Sequence, residues 1–376
     1  MSPLRRDHLS GFARASFLAL LGLALLSACA AAATLEVVPA AGQHPIQRAL
    51  NIARQGDTVL VAPGDYEERI TLPSGVTLRS LEGARRTRIL GDLRGAVVQV
   101  RDADSLTRLE GFTITRGRGS RLPGMRYEGG GGLLAWRAVV RVRDNVFQGN
   151  ELEVGESSGG AVALWESPAV LERNEFDGNA ANRGGGVYAR ACSLVVIRGN
   201  HFVHNRATSF GGAVHLDHAT RGLVEANVIE RNDAGWGGGM LLGPVTRVQV
   251  SGNSFIANHA RNWGGGLFMT DCQALVARNL FAENSSDFSG GGFAAGRAGY
   301  PDLRCNLGWH NVPQNFYASD STEVPRLREQ FEEDPGLCNF LTGDFHPRPG
   351  GPADREPCGL IGALPADCPR LQRIVR

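Results

Sequence analysis

The chain contains no lysine among its 376 residues, so every cationic side chain other than histidine is one of 39 arginines, whose total includes no other residue. Lysine-based chemistry is therefore excluded, although a GC-rich coding bias explains the absence more simply than any function. Neither sign of charge dominates. The formal net charge is +1, so the basic stripe expected of a nucleic-acid binder is missing. The 50 glycines follow no Gly-X-Y period, which excludes collagen and suits a turn-rich β protein. The leading apolar stretch, Phe17 to Leu26, is too short to span a bilayer comfortably. No His or second Cys lies at zinc-like spacing, so neither a metal site nor a cofactor is expected.

What is present is a repeat. The stretch from Asn200 to Leu216, NHFVHNRATSFGGAVHL, shows the unit in full. Its leading asparagine recurs at Asn145, Asn174, Asn200, Asn227, Asn253, Asn279 and, more weakly, Asn306. A second series keeps step at Asn150, Asn179, Asn205, Asn232, Asn258 and Asn284. Glycine pairs begin at Gly159, Gly184, Gly211, Gly237, Gly264 and Gly290. A period of about 26 residues signals a solenoid, in which no unit buries its apolar side alone. Three columns are apolar, or nearly so, in every copy. One runs Val162, Val187, Val214, Met240, Leu267, Phe293; another Val142, Leu171, Ile197, Val224, Val250, Val276; a third Phe147, Phe176, Phe202, Ile229, Phe255, Phe281. Alternation assigns them to three inward-facing strands per turn. The runs are too short and Gly-broken for helices. The asparagine columns would form amide ladders along the stack.

These features predict an all-β, right-handed parallel β-helix of about ten coils over residues 34–311. A short helix from Pro45, with Ile46, Ala49, Leu50 and Ala53 on one face, would cap its N-terminal end. Residues 312–376, broken by repeated prolines, would form a disulfide-rich C-terminal cap. Residues 1–29 read as an address. Arg5 and Arg6 precede the apolar stretch, and Leu26-Ser27-Ala28-Cys29 looks like a bacterial lipobox with Cys29 as the lipidation site. Ala28-Cys29-Ala30 also fits ordinary signal cleavage. Either route places the mature protein outside the cytoplasm: at the outer membrane or cell surface, in the periplasm, or secreted.

The opening QRALNIARQGDTVLVAPGDYEERITLPSGVTL resembles the start of many pectin-lyase-like right-handed β-helix proteins. The Phe-x-x-Asn and Gly-Gly-Ala pairing is similar to the repeats of the polymorphic outer-membrane protein family of adhesins, over about Asn145 to Gly292. Without the membrane barrel of those proteins, surface display would rest on Cys29. The β-helix resemblance implies a fold that hosts lyases, hydrolases, esterases, epimerases and adhesins, so function has to be argued from the site. The paired Asp motifs of pectin methylesterases, the Asp-Pro-His of alginate epimerases and the aspartate cluster of pectate lyases are all missing.

The candidate site lies on the outward side of the strand after the glycines. Trp136 and Trp165 would sit one above the other, with Tyr188 next along. Arg190, His215 and Asp217 follow, with Glu166 and His218 beside them. Aromatic faces beside Arg and a carboxylate suit an acidic or neutral glycan. In β-elimination or hydrolysis, Asp217 or His215 could serve as base while Arg190 holds a substrate carboxylate. The expected partner is thus a polysaccharide or surface glycan, bound by Trp136, Trp165, Glu166, Tyr188 and His218, with Arg190, His215 and Asp217 as the candidate catalytic residues. The competing expectation is a structural or adhesive solenoid with a protein partner. Phe210, Trp236 and Trp263, each just before a glycine pair, read as structural stacking. Two long loops carry Arg118, Arg121 and Arg126 on one side and Glu151, Glu153 and Glu156 on the other, which suggests cross-loop ion pairs. Cys192 and Cys272 stand three coils apart, beyond disulfide reach, and read as buried thiols. Cys305, Cys338, Cys358 and Cys368 allow three connectivities. Cys305–Cys338 with Cys358–Cys368 is favoured, because the second pair closes a small loop.

Overall fold

The computed structural model describes residues 32–40, 42–121, 128–153, 155–218, 221–319, 330–339 and 343–368. The leader with Cys29 and the loop arginine Arg126 lie outside the described residues. The described chain winds as a parallel β-solenoid of about 11 turns, one more than the repeat count predicts. The first sheet has 11 strands, from Thr34–Val37 to Gly299–Arg304. The second also has 11, from Gly64–Glu67 to Phe331–Glu332, and the third has 10, from Ile70–Thr71 to Phe316–Ala318. A fourth, of eight short strands between Ser120–Arg121 and Ser285–Ser286, fills the corner between the second and third. That fourth sheet is absent from the three-strand expectation. Its strands are only two to five residues long, below what alternation can signal.

The three apolar columns do face inward. Phe147, Phe176, Phe202, Phe255 and Phe281 are fully buried. The rings of Phe147, Phe176 and Phe202 stack with centroids 5.2 and 4.5 Å apart, as one coil sits on the next. Both asparagine ladders form as expected. Asn200 donates its backbone N–H and its side-chain amide to Oδ1 of Asn227, at 2.9 and 3.0 Å, and the same amide to the Leu171 carbonyl at 2.9 Å. Each rung therefore satisfies corner groups that would otherwise be buried without partners, at a net gain of about 1 kcal/mol per bond. The ladders end on residues that the repeat did not reveal. Gln330 accepts from Asn306, and Asn315 accepts from Asn311, each at 2.8 Å. The glycine pairs are steric necessities. Gly211 has φ +64°, and a Cβ on Gly212 would lie 2.1 Å from the Gly238 carbonyl oxygen of the next coil.

Both ends are closed. The helix Pro45–Ile52 buries Ile46 and Leu50 against the first coils. It has no side-chain cap of its own; instead Glu68, nearly buried, accepts from the N–H groups of Ile46 and Gln47 at 3.0 and 2.9 Å. At the other end the tail folds back over the outer face of the second sheet. Leu337, Phe345, Ala353 and Ile361 bury Ile256, Leu280 and Leu307 there. The disulfides are Cys305–Cys358 and Cys338–Cys368, with Cα separations of 5.8 and 5.5 Å. This corrects the favoured pairing. Cys305 closes the last strand of the first sheet, and Cys358 arrives beside it because Ile361 docks on Leu280 and Leu307. Tertiary packing, not loop length, sets the partners. Cys192 and Cys272 are buried thiols outside both disulfides, and burial pushes them up to about 11 and about 12.

Candidate functional site

The third sheet places the candidate residues in strict register. Val162–Trp165 pairs with Val187–Arg190, and that strand with Val214–Asp217, so Trp165, Arg190 and Asp217 stack on successive coils. Trp136 stands opposite Trp165 on the preceding coil. The structure thus brings together the residues that the pattern singled out. It also overturns one expectation about them. The outward column Leu134, Ala163, Tyr188, His215, Leu241 and Phe268 is buried throughout.

Two aromatic groups cover it. Trp165 packs over Leu134, Ala163 and Tyr188, with Trp136 at the margin. Further along, Phe210, Trp236, Trp263 and Tyr317 cover Leu241, Phe268 and Ala294. Trp236 and Trp263 meet edge to face, at 64° and 5.8 Å. Stacking at the glycine corner is therefore their role, and the T-shaped geometry leaves no flat aromatic strip. Trp136 is itself occupied on one face, by the Arg137 guanidinium 4.1 Å from the ring centroid.

Between these aromatic groups lies a polar hub. Asp217 Oδ2 accepts from the Tyr188 hydroxyl at 3.0 Å and from Arg190 at 3.2 Å. Asp217 Oδ1 pairs with His218 Nδ1 at 2.7 Å. Burial alone would raise the Asp217 carboxyl, but His215, His218 and Tyr188 outweigh it and hold it below the usual range. Burial, reinforced by Asp217, pushes the Tyr188 phenol well above its ordinary value. His215 is only 5% exposed, and burial pushes it down to about 4, so its ring is neutral at pH 7. Its Nδ1 has no hydrogen-bond partner among the described residues. Its Nε2 faces Gly243, where a Cβ would come within 3.7 Å of that nitrogen and 3.4 Å of Asp217 Oδ1. The side chains of Arg190 and His218, 36% and 54% exposed, carry the hub to solvent. Glu166 is exposed at the same corner, at φ +50°. Asp217 is thus held by three partners, which suits orienting Arg190 and His218 more than abstracting a proton itself.

The two long loops form one of the expected cross-loop pairs, Arg118–Glu151 at 3.7 Å; Arg121 pairs instead with Glu128. Among the described residues, no group of three or more His, Cys, Asp or Glu side chains gathers as metal ligands. Sequence reasoning missed a second feature. An open groove of about 880 Å³ lies on the outer face of the first sheet, lined by Arg221, Leu223, Arg247, Gln249, Leu275 and Tyr300 among others. The signal was available, because these are the outward positions between the inward Val224, Val250 and Val276.

The fold so described is an all-β parallel β-solenoid of about 11 turns. The family model for the right-handed β-helix region matches residues 127–307. No curated protein matches the sequence. Among solved structures, the chain is similar to the A-module of mannuronan C-5 epimerase AlgE6 of Azotobacter vinelandii, at 15% identity and TM-score 0.33, covering 77% of this chain and 95% of that one. A mannuronic acid specific polysaccharide family 6 lyase from human gut microbiota matches at 11% identity and TM-score 0.35, covering 81% and 92%. The A-module of AlgE4 from Azotobacter vinelandii matches at 13% and 0.31, covering 77% and 92%. At these values no chemistry is carried over from them.

Proposed function

We propose that the protein is exported, held at the membrane through Cys29, and binds polysaccharide at the corner where the third sheet ends. The observation that carries this reading is the Asp217 hub, which fixes Arg190 and His218 on successive coils with their outer ends in water. A solenoid edge repeats its side chains at roughly 4.8 Å along a straight axis. Such an edge suits a linear polymer with a comparable repeat, and the donors at this corner suit hydroxyl and carboxylate groups. The near-neutral net charge argues against nucleic acid as that polymer. Binding of the mature chain to a panel of acidic and neutral polysaccharides tests the reading. His218→Ala and Arg190→Ala are expected to weaken binding about tenfold, the order set by losing a charged hydrogen bond. No binding to any member of the panel overturns it.

One observation favours processing as well. A buried imidazole kept neutral at pH 7, its Nε2 beside Gly243 with no side chain between them, is in the unprotonated form that a general base requires. On that reading His215 takes the proton while Arg190 holds the substrate. Release of unsaturated uronate or of reducing ends, abolished by His215→Gln with polymer binding retained, is the expected result. Equal product release by His215→Gln rules it out.

A further inference from the structure

The outer face of the first sheet changes along the solenoid. Over the earlier coils it carries paired charges, such as Arg143 with Glu110 and Arg198 with Glu172. Over Arg221–Glu225, Val245–Ser251, Cys272–Ala277 and Gly299–Arg304 the strands lengthen from four residues to five, seven, six and six. The groove of about 880 Å³ lies on these longer strands. Its floor is a registered column, with Leu223 opposite Gln249, Gln249 opposite Leu275 and Leu275 opposite Asp302, whose carboxylate pairs with Arg304. Gln249 is anchored by donating to Ser251 Oγ at 3.0 Å. Leu194 at one end and Tyr300 at the other are 42% and 46% exposed.

Two arginines edge this floor. Arg221 and Arg247 are directly opposite on adjacent strands, and both are exposed. Like charges in that relation repel. Among the described residues neither has a carboxylate partner, although Arg198 and Arg304 on the same face each have one. Two unpaired guanidinium groups one strand apart call for anionic groups with the same repeat.

We propose that this groove is a second glycan-binding site, separate from the Asp217 corner, taking a linear chain with an acidic group on neighbouring sugars. The chain lies along the solenoid axis. It spans the five coils from Leu194 to Tyr300, about 19 Å at the strand spacing. Its ring faces rest on Leu223 and Leu275. Its acidic groups meet Arg221 and Arg247, whose planar forks suit carboxylate or sulfate. Tyr300 packs against the terminal ring. Identifying the polymer as a glycan rests on the reading above, but the two sites share no residue, so each fails separately.

The test is titration calorimetry of the mature chain with three probes: a uronate oligomer, the same oligomer with its carboxyls reduced to alcohols, and a polyglutamate peptide. Arg221→Gln with Arg247→Gln is expected to weaken uronate binding about tenfold or more, and Tyr300→Ala about threefold. Added salt weakens wild type and leaves the double variant nearly unchanged. The reduced oligomer and the peptide bind about tenfold more weakly than the uronate. Unchanged affinity in the double variant overturns the proposal, as does equally tight binding of the reduced oligomer or of polyglutamate. All three side chains are exposed, so the fold is not at stake, and a thermal melt confirms it. If His218→Ala removes all binding while the arginine variant removes none, the groove is wrong and the corner stands. The reverse pattern discards the corner alone.

Discussion

The outer faces of the third and first sheets belong to the same coils, yet one is sealed and the other open. On the third sheet, apolar Leu241 and Phe268 lie under Trp236, Trp263 and Tyr317, and the polar cluster at Asp217 is largely enclosed. On the first sheet, Leu223, Gln249 and Leu275 form the floor of an open groove. Alternation tells which side chains point outward, and it does so equally well for both. Whether an outward side chain meets water depends on what the neighbouring corner carries. Bulky rings precede the glycine pairs next to the third sheet, whereas exposed Arg221 and Arg247 stand near the start of two of the longer strands of the first.

The largest expected effect comes from breaking the enclosed hub. Asp217→Ala leaves Arg190, His218 and the buried Tyr188 hydroxyl without their common acceptor. Removing one member of such a buried set costs about 3 kcal/mol. A chemical denaturation series should show that loss with the slope unchanged. A loss below about 0.5 kcal/mol, the range of surface changes, would mean the hub is not structural, and the contrast between the two faces would collapse.

The next effect sharpens the contrast through pH. His215 titrates near 6.5 in the unfolded chain and near 4 in the folded one. Between those values the unfolded state binds a proton that the folded state refuses. Stability is therefore intact above pH 6.5 and falls as pH drops toward 4, by about 3 kcal/mol at 1.36 kcal/mol per pKa unit. Arg183, Arg190 and His218 oppose the charged ring and Asp217 favours it, with burial the dominant influence. His215→Phe places an apolar ring among Tyr188, Phe210 and Leu241. It should flatten stability across that pH window while leaving the neutral-pH value nearly unchanged. An unaltered acid slope would show that His215 is not the group responsible.

How much of this was legible follows from the range of the interactions. The core columns, both asparagine ladders and the glycine corners repeat every turn, so one sequence period displays contacts that are distant along the chain. Candidate residues Trp136, Trp165, Tyr188, Arg190, His215 and Asp217 were found for the same reason: register follows from repeat. Their burial was not legible, because Trp165 reaches over its neighbours through side-chain geometry that no period encodes. The disulfide partners and the terminal rungs Gln330 and Asn315 lie beyond the last repeat, where the tail is placed by Phe345 and Ile361 packing on the second sheet. The groove was missed for a different reason. Its residues vary from coil to coil, and attention to recurring columns passes over the positions where recurrence stops.

The smallest effect probes the cover itself. Trp236→Ala removes a ring that packs on Phe268 at 5.4 Å and on Trp263 at 5.8 Å. The ring is only partly buried, so the loss should be about 2 kcal/mol, below the range for a core tryptophan. The consequence for the surface is more informative than the stability. Leu241 and Phe268 become accessible, and the third sheet then presents an apolar outer face of the kind that binds hydrophobic dyes. Dye fluorescence should rise in the variant at temperatures well below its melt. The matching change on the open side, Leu223→Ala, removes floor that is already in contact with water and should leave dye binding unchanged. If both variants respond alike, the first sheet is no more open than the third, and the groove is not a free surface.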